Sequence, residues 1–166
     1  MLSINPDLIR TSLALAFVSF ASAVVAEPFL TLENVENSTV IELSEDDLHA
    51  LDQHEVLTEN DFVDGMASFV GPLARDIVAL LIEEDGELDA SKLVTLTAVN
   101  DYSVEVPIED FIEYDVIFAL TQNGEKLSRR DKGPIWLVYP MSEHDELQTP
   151  LHNDRMIWQL VRVTLD

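Results

Sequence analysis

The chain has 166 residues and carries 32 acidic against 9 basic side chains, which gives a formal net charge of −23 at pH 7. A field of that sign repels nucleic acid and anionic membrane surfaces, so neither is an expected partner. The sequence contains no cysteine, which excludes disulfides, a thiolate nucleophile, an iron–sulfur cluster and a thiolate ligand for a metal.

The first 26 residues are predicted to form a secretory signal peptide. A polar start with Arg10 precedes an apolar run from Leu13 to Val25, and small residues lead to a cut after Ala26. Cleavage after Ala23 and a retained N-terminal anchor are the alternatives, although no stop-transfer pattern follows the run. We therefore expect a periplasmic domain over residues 27–166, with no membrane insertion after the signal is removed.

Short strand patterns alternate with turns along this domain. Runs rich in β-branched and aromatic residues, bounded by turn residues, predict strands at 29–33, 39–43, 93–99, 103–107, 115–120, 135–139 and 160–165, with strand-like spacing also between 56 and 70. The dipeptide Asn123-Gly124 predicts a tight turn that folds back toward a basic loop.

A few helical patterns lie between the strands. Ser44 is a predicted N-cap that places Leu48 and Leu51 on the buried side of a short helix. The clearest pattern runs from Gly71 to Ile82, with Pro72 in the first turn and an apolar face that is expected to point inward and comprises Leu73, Ile77, Leu80 and Leu81. A helical turn at 108–113, a polar loop at 141–153 and a last helical segment near 154–159 follow. Together these patterns predict a single α+β domain with mixed β-sheets and a few helices.

The basic residues are concentrated in one loop. Of the eight that lie beyond the leader, four fall within seven positions, namely Lys126, Arg129, Arg130 and Lys132. The loop runs through Gly133-Pro134 into the apolar strand of Trp136. Two interpretations stay open: a rim that receives a polar, planar or anionic group, or a solvated hairpin with balancing charges.

Patterns for catalysis and for metal binding do not occur. The sequence lacks Gly-x-Ser-x-Gly, Gly-x-Gly-x-x-Gly and the phosphate-binding Gly-Lys motif. The group of His144, Asp145, Glu146 and His152 matches no metal-ligand spacing. A calcium loop that starts at Asn60 fails because Phe62 would occupy the third ligand position. We therefore predict no catalytic residue and no metal site.

A ligand site is nevertheless indicated by two groups of polar and aromatic side chains. One group lies at a strand end and comprises Asn100, Asp101 and Tyr102, and the other contains Arg130 and Trp136. They suit a flat heterocycle with an amino-amide edge, because a carboxylate accepts from the ring N–H groups while a ring or guanidinium stacks on the face. Trp136 and Tyr139, however, are residues of a kind found more often in the core than in a site. Trp158 either closes the same wall or belongs to the last helix.

Several motifs follow one another in a fixed order along nearly all of the mature chain. They are Phe69-x-Gly71-Pro72-Leu73, Ala98-x-Asn100-Asp101-Tyr102-Ser103, Asp110, Ile117-x-Ala119, Asn123-Gly124-Glu125-x-Leu127, Gly133-Pro134-x-Trp136-Leu137-Val138-x-Pro140 and Trp158-x-Leu160. Together they resemble the molybdopterin-binding domain of sulfite-oxidase-like oxidoreductases. In that family a cysteine a little over ten residues before the equivalent of Gly71 holds molybdenum. Here that neighbourhood is Thr58-Glu59-Asn60-Asp61.

An exported single domain without the cysteine is similar to the small periplasmic pterin-binding proteins of proteobacteria. The resemblance implies a non-catalytic protein that binds a reduced or molybdopterin-like pterin. It also implies biofilm signalling, by action on the periplasmic region of an inner-membrane enzyme that makes and degrades cyclic di-GMP. The pterin-binding residues implied in this way are Asn100, Asp101, Tyr102, Arg130 and Trp136, with Glu59 and Asp61 at the vacated metal position. The alternatives are a molybdenum-cofactor oxidoreductase that lacks the cysteine and a ligand-free interaction protein.

Overall fold

The computed structural model describes residues 28–83 and 86–166, so the predicted signal peptide lies outside the described residues. The strands are β1 (Leu30–Asn34), β2 (Thr39–Leu43), β3 (Gln53–Thr58), β4 (Ala67–Pro72), β5 (Leu93–Ala98), β6 (Ser103–Pro107), β7 (Ile117–Ala119), β8 (Thr121–Gln122), β9 (Glu125–Lys126), β10 (Trp136–Val138) and β11 (Leu160–Leu165). The helices are α1 (Glu45–Ala50), α2 (Ala74–Ala79), α3 (Ile108–Glu113) and α4 (Pro150–Arg155), with a 3₁₀ turn at Asp145–Leu147. In this part of the chain no helix is long and apolar enough to cross a membrane.

The larger sheet has five strands in the order β2-β1-β11-β5-β6. Strands β1 and β11 run parallel, and the other neighbours are antiparallel. The turn between β5 and β6 lies beside the segment that leads into β11, because Val99 N donates to Gln159 O at 3.0 Å. This contact brings the predicted strand-end residues 100–102 next to Trp158.

The remaining strands form a four-stranded sheet, β3-β4-β8-β9, and a two-stranded sheet, β10-β7. Strand β4 passes close to β7: Leu120 N, just after β7, donates to Val70 O at 2.8 Å. A Cβ atom on Gly71 would lie 2.0 Å from Phe118 O. Only glycine permits this approach of the two backbones.

The predicted helix from Gly71 to Ile82 is wrong at both ends. Gly71 and Pro72 are the last residues of β4, and α2 spans only Ala74–Ala79. The extended conformation of Gly71 follows from its contact with Phe118, which no local pattern reports. Leu80, which was predicted to face the core, is 40% exposed, whereas Leu81 is buried.

The last helix also differs from its predicted position. The predicted polar loop at 141–153 contains the 3₁₀ turn and most of α4, which begins at Pro150. Thr149 is the N-cap, and its hydroxyl accepts from His152 N at 3.4 Å. Threonine followed by proline is a typical helix start, so the sequence carries a signal for this boundary.

Large aromatic side chains fill the core. Those that are fully buried include Trp136, Tyr139, Phe69, Phe111 and Phe118. The ring of Trp136 meets that of Phe69 edge to face at 5.2 Å between centroids, and its Nε1 donates to Met156 O at 3.0 Å. Trp136 is therefore a satisfied core residue, and the mixed sheets around it confirm the predicted α+β class.

Candidate functional site

Two adjoining cavities lie around the N-terminal end of β11 and helix α4. The first, here called the polar cavity, has a volume of about 260 Å³. Its polar lining comprises Glu59, Asn60, Asp61, Ser142, Gln148 and Asn153. The second, here called the aromatic cavity, has a volume of about 350 Å³. It is lined mainly by Phe62, Asn100, Tyr102, Met156, Ile157 and Trp158. Asn153 lines both cavities, so they are neighbours that share one wall.

The segment after β3 is held in place by its backbone amides. Glu59 N donates to Ser142 Oγ at 2.9 Å, and Asp61 N donates to Asn153 Oδ1 at 3.1 Å. Phe62 N donates to Asn60 Oδ1 at 2.9 Å, which closes a local turn. As a result, the consecutive residues Asp61 and Phe62 contribute to different cavities.

Asn153 forms the partition between the cavities and uses both ends of its amide. Its Oδ1 accepts from Asp61 N, and its Nδ2 donates to Thr149 O at 3.3 Å within α4. The residue is only 8% exposed. The position of the partition therefore depends on the position of α4.

A buried polar cluster fixes α4 to the core. Asp110 of α3 accepts from Arg155 Nη1 and from the Tyr139 hydroxyl through the same oxygen, each at 2.7 Å. Burial, together with the neighbouring Asp110 charge, raises the pKa of Tyr139, so its hydroxyl remains a donor. The cluster ties α4 to α3 and to the end of β10.

The wall of the aromatic cavity is partly open to solvent. Trp158 is 38% exposed and Tyr102 is 54% exposed. The ring of Phe62 supports Trp158 edge to face, with 4.9 Å between centroids. These rings offer a surface on which a flat molecule can pack.

The turn between β5 and β6 divides the three predicted strand-end residues. Asp101 has a φ of 63°, and Tyr102 N donates to Asn100 Oδ1 at 3.2 Å. Asn100 and Tyr102 line the aromatic cavity, whereas Asp101 lines a different depression beside Arg129. Asn and Asp are among the side chains that tolerate this left-handed backbone conformation.

The structure brings together four of the seven residues predicted to bind ligand. Asn100 and Tyr102 lie in the aromatic cavity, and Glu59 and Asp61 lie in the polar cavity. The other three, Asp101, Arg130 and Trp136, line neither cavity. Arg130 is exposed in the basic loop, and Trp136 is fully buried.

The basic loop packs against the protein surface behind the aromatic cavity. Lys126 pairs with Glu45, and the Lys132 ammonium lies 5.1 Å from the centroid of the Trp136 ring. Gln159 Nε2 donates to the carbonyl oxygens of Arg129 at 3.1 Å and of Asp131 at 3.0 Å. These contacts favour the hairpin interpretation of the loop over a cationic rim.

Phe62 and Asn153 are site residues that the sequence analysis does not select. Their roles depend on contacts between distant segments, such as the bond from Asp61 N to Asn153 Oδ1. The sequence leaves two roles open for Trp158. In the structure its ring is partly exposed, whereas the ring of Trp136 is fully buried.

Comparison with known proteins identifies the fold and the family. A model of the oxidoreductase molybdopterin binding domain matches residues 27–143, more than half of the chain. The crystal structure of the sulfane dehydrogenase SoxCD from Paracoccus pantotrophus superposes with a TM-score of 0.54 at 17% sequence identity, which shows a shared fold. The match covers 82% of this chain and 37% of that chain, so this chain spans well under half of it. A search of curated proteins found no match. On the family-model match, the chain belongs to the oxidoreductase molybdopterin-binding domain family.

Proposed function

We propose that this chain is a non-catalytic periplasmic protein that binds a pterin. In this proposal it regulates an inner-membrane enzyme that makes and degrades cyclic di-GMP, through the periplasmic region of that enzyme. Membership in the family supports a pterin-type ligand. The observation that carries the non-catalytic part is the composition of the segment from Thr58 to Asp61, which offers carboxylates and amides in a chain without cysteine.

The donor set of the polar cavity does not fit the molybdenum centre of the family. That centre is held by a cysteine thiolate, and this chain has no cysteine to supply one. Within residues 28–83 and 86–166, no group of three or more His, Asp or Glu side chains is placed to hold a metal ion. The organic part of the cofactor fits better, because the aromatic cavity offers the faces of Tyr102 and Trp158 to a planar ring.

A regulatory role is supported by the position of the cavities at the surface. Exposed side chains line the aromatic cavity, including Tyr102 and Trp158. A ligand seated beside these residues alters the surface that a protein partner meets. Coupling between ligand and partner requires that the ligand bind the free and partner-bound states unequally.

A molybdenum-cofactor oxidoreductase that works without the cysteine is the rival function. The two are separated by metal analysis of protein purified from its own periplasm, together with an anaerobic calorimetric titration with tetrahydrobiopterin. The proposal expects one-to-one binding of the pterin and molybdenum far below one atom per chain. Stoichiometric molybdenum would overturn it in favour of the oxidoreductase.

The regulatory part has its own test in the source cells. We expect cyclic di-GMP levels to change in the same direction when the gene is deleted and when Trp158→Ala replaces the wild type. Unchanged levels in both strains would remove the signalling role. An effect of deletion without an effect of Trp158→Ala would favour an interaction protein that needs no ligand.

A further inference from the structure

We propose that Met66 is a site of reversible oxidation by peroxide, and that the oxygen added to its sulfur strengthens a hydrogen bond that closes the loop between β3 and β4. The inference goes beyond the proposed function and does not depend on a bound ligand. It follows from the exposure of this methionine and from the hydroxyl group that its sulfur contacts.

Met66 is the accessible methionine in the part of the chain that the structure describes. It is 48% exposed, whereas Met141 and Met156 are 3% and 1% exposed. An oxidant must reach the thioether sulfur before it can react, so exposure selects Met66 over the other two. The two buried methionines therefore serve as internal references within the same chain.

The sulfur of Met66 accepts a hydrogen bond from Ser142. The Ser142 hydroxyl oxygen lies 3.6 Å from Met66 Sδ, and the hydroxyl is the donor because a thioether carries no proton. The same oxygen accepts from Glu59 N at 2.9 Å. Glu59 and Met66 are the first and last residues of the loop that follows β3 and precedes β4. One hydroxyl therefore joins the two ends of this loop.

Ser142 is itself held by a buried partner. Its backbone N–H donates to Thr58 Oγ1 at 3.1 Å, and Thr58 is fully buried. Glu59 and Met66 are exposed by comparison. A change in the hydrogen bonding of the Ser142 hydroxyl therefore acts on the loop, because the core fixes the position of Ser142.

The chemical step is a two-electron oxidation of the sulfur. A lone pair of Met66 Sδ attacks one oxygen of hydrogen peroxide, the S–O bond forms as the O–O bond breaks, and the second oxygen leaves as water with both protons. Methionine sulfoxide reductases reverse the step. They take the electrons from a dithiol, which becomes a disulfide as the sulfoxide oxygen leaves as water.

The oxidised side chain is a better acceptor for Ser142. A thioether sulfur is a weak acceptor, whereas a sulfoxide is polar. Hydrogen bonds in a chain polarise one another, so a hydroxyl that donates to a stronger acceptor also accepts more strongly. Oxidation should therefore tighten the bond from Glu59 N to Ser142 Oγ. The same loop supplies Asp61 to the polar cavity and Phe62 to the aromatic cavity, so tightening it restrains a wall of each.

Peptide mapping by mass spectrometry tests the site of oxidation. After brief treatment of the folded protein with dilute hydrogen peroxide, we expect one added oxygen at Met66 and none at Met141 or Met156. All three should be oxidised once the chain is unfolded in urea. If Met141 or Met156 reacts as fast as Met66 in the folded protein, the assignment of the site is overturned.

Amide hydrogen exchange followed by NMR tests the structural consequence. In the oxidised wild type the Glu59 amide should exchange about twofold more slowly than in the reduced protein. The original rate should return after treatment with the reductases for both sulfoxide epimers. An unchanged or faster rate in the oxidised protein would overturn the proposal.

Two variants isolate the contact between the sulfur and the hydroxyl. Met66→Leu keeps an apolar side chain of similar size without a reactive sulfur, so peroxide should leave its Glu59 exchange rate unchanged. Ser142→Ala should raise that rate about 5-fold before any oxidation, and oxidation of Met66 should then change it no further. Slowing by peroxide in either variant would overturn the proposal. The comparison of reduced and oxidised wild type needs neither variant, so it is decisive even if a variant folds poorly.

Discussion

The polar and aromatic cavities share a wall but differ in what they offer a ligand. The polar cavity presents the carboxylates of Glu59 and Asp61, whereas the aromatic cavity presents the rings of Tyr102 and Trp158. Adjacent residues, Asp61 and Phe62, supply one side chain to each. Because these two residues are adjacent, their side chains reach different cavities through the local turn at Asn60 and the partition at Asn153.

Under the proposed function, the two cavities make different contributions to ligand recognition. Apolar ring faces contribute area and tolerate many planar molecules, while a few placed polar groups fix orientation and specificity. In this molecule the two contributions lie on opposite sides of a single amide. A substitution that displaces the partition should weaken ligand contacts in both cavities. A substitution in the lining of one cavity should weaken ligand contacts only in that cavity.

The largest expected effect comes from removing the support of the partition. Asp110→Ala leaves the Arg155 guanidinium without its partner in a mostly buried setting. Loss of one member of a buried pair costs about 3–5 kcal/mol of unfolding free energy. Urea unfolding measures this loss, and ligand binding in both cavities should weaken with it because α4 carries Asn153.

An exposed ion pair provides the control for that experiment. Arg162 Nε lies 3.5 Å from Glu33 Oε1 on the open face of the larger sheet. Glu33→Ala should therefore cost less than about 1 kcal/mol. If Asp110→Ala is no more destabilising than Glu33→Ala, the buried cluster does not secure α4.

A smaller effect, confined to one cavity, is expected from Trp158→Ala. The ring is partly exposed, so its loss removes contact area for the ligand while leaving the core around Trp136 intact. We expect tetrahydrobiopterin affinity to fall about 10-fold, in line with about 1.4 kcal/mol for one aromatic contact. Calorimetry measures the change, and Trp158→Phe should recover most of it. Equal affinities for the alanine variant and the wild type would place the ligand elsewhere.

The parts of the fold that local sequence predicts are those that local bonds stabilise. Ser44 caps α1 as predicted, in a reciprocal arrangement with Asp47. Asn123-Gly124 forms the predicted tight turn, with φ values of 51° and 78°. Gly71, by contrast, is extended because its backbone meets Phe118, a residue 47 positions away. A helical pattern cannot report such a contact, and the predicted start of α2 was wrong for that reason.

The candidate site likewise contains some residues that the sequence indicates and others that only contacts between distant segments reveal. Family resemblance indicates Glu59 and Asp61, and both line one cavity. Asn153, which separates the cavities, is invisible to such reasoning because it acts through Asp61 N, 92 residues earlier in the chain. Arg130 and Trp136 were predicted from their stacking chemistry and from the family resemblance, but the fold places one in an exposed loop and the other in the core.

The smallest expected effect is a dependence of α4 on pH through His152. Burial lowers the pKa of His152, and Arg155 adds to this, while Asp110 and Glu146 partly oppose it. Because the folded-state pKa lies below the unfolded value of about 6.5, the unfolded chain binds more protons as the pH falls through that region. The contribution to stability is therefore fully present above about pH 6.5 and declines on acidification.

Replacement of His152 tests this dependence. The variant also loses the packing of the ring on Tyr139, which lies 5.5 Å away between centroids. The informative quantity is therefore the change in unfolding free energy between two pH values. Urea unfolding of the wild type and of His152→Asn at pH 7.5 and pH 5.5 separates the two effects. The packing loss is present at both values, whereas the proton-linked loss occurs only in the wild type. The wild type should therefore lose more stability between the two values than the variant does. Parallel behaviour of the two proteins would mean that protonation of His152 does not act on α4, and that the partition between the cavities is insensitive to mild acid.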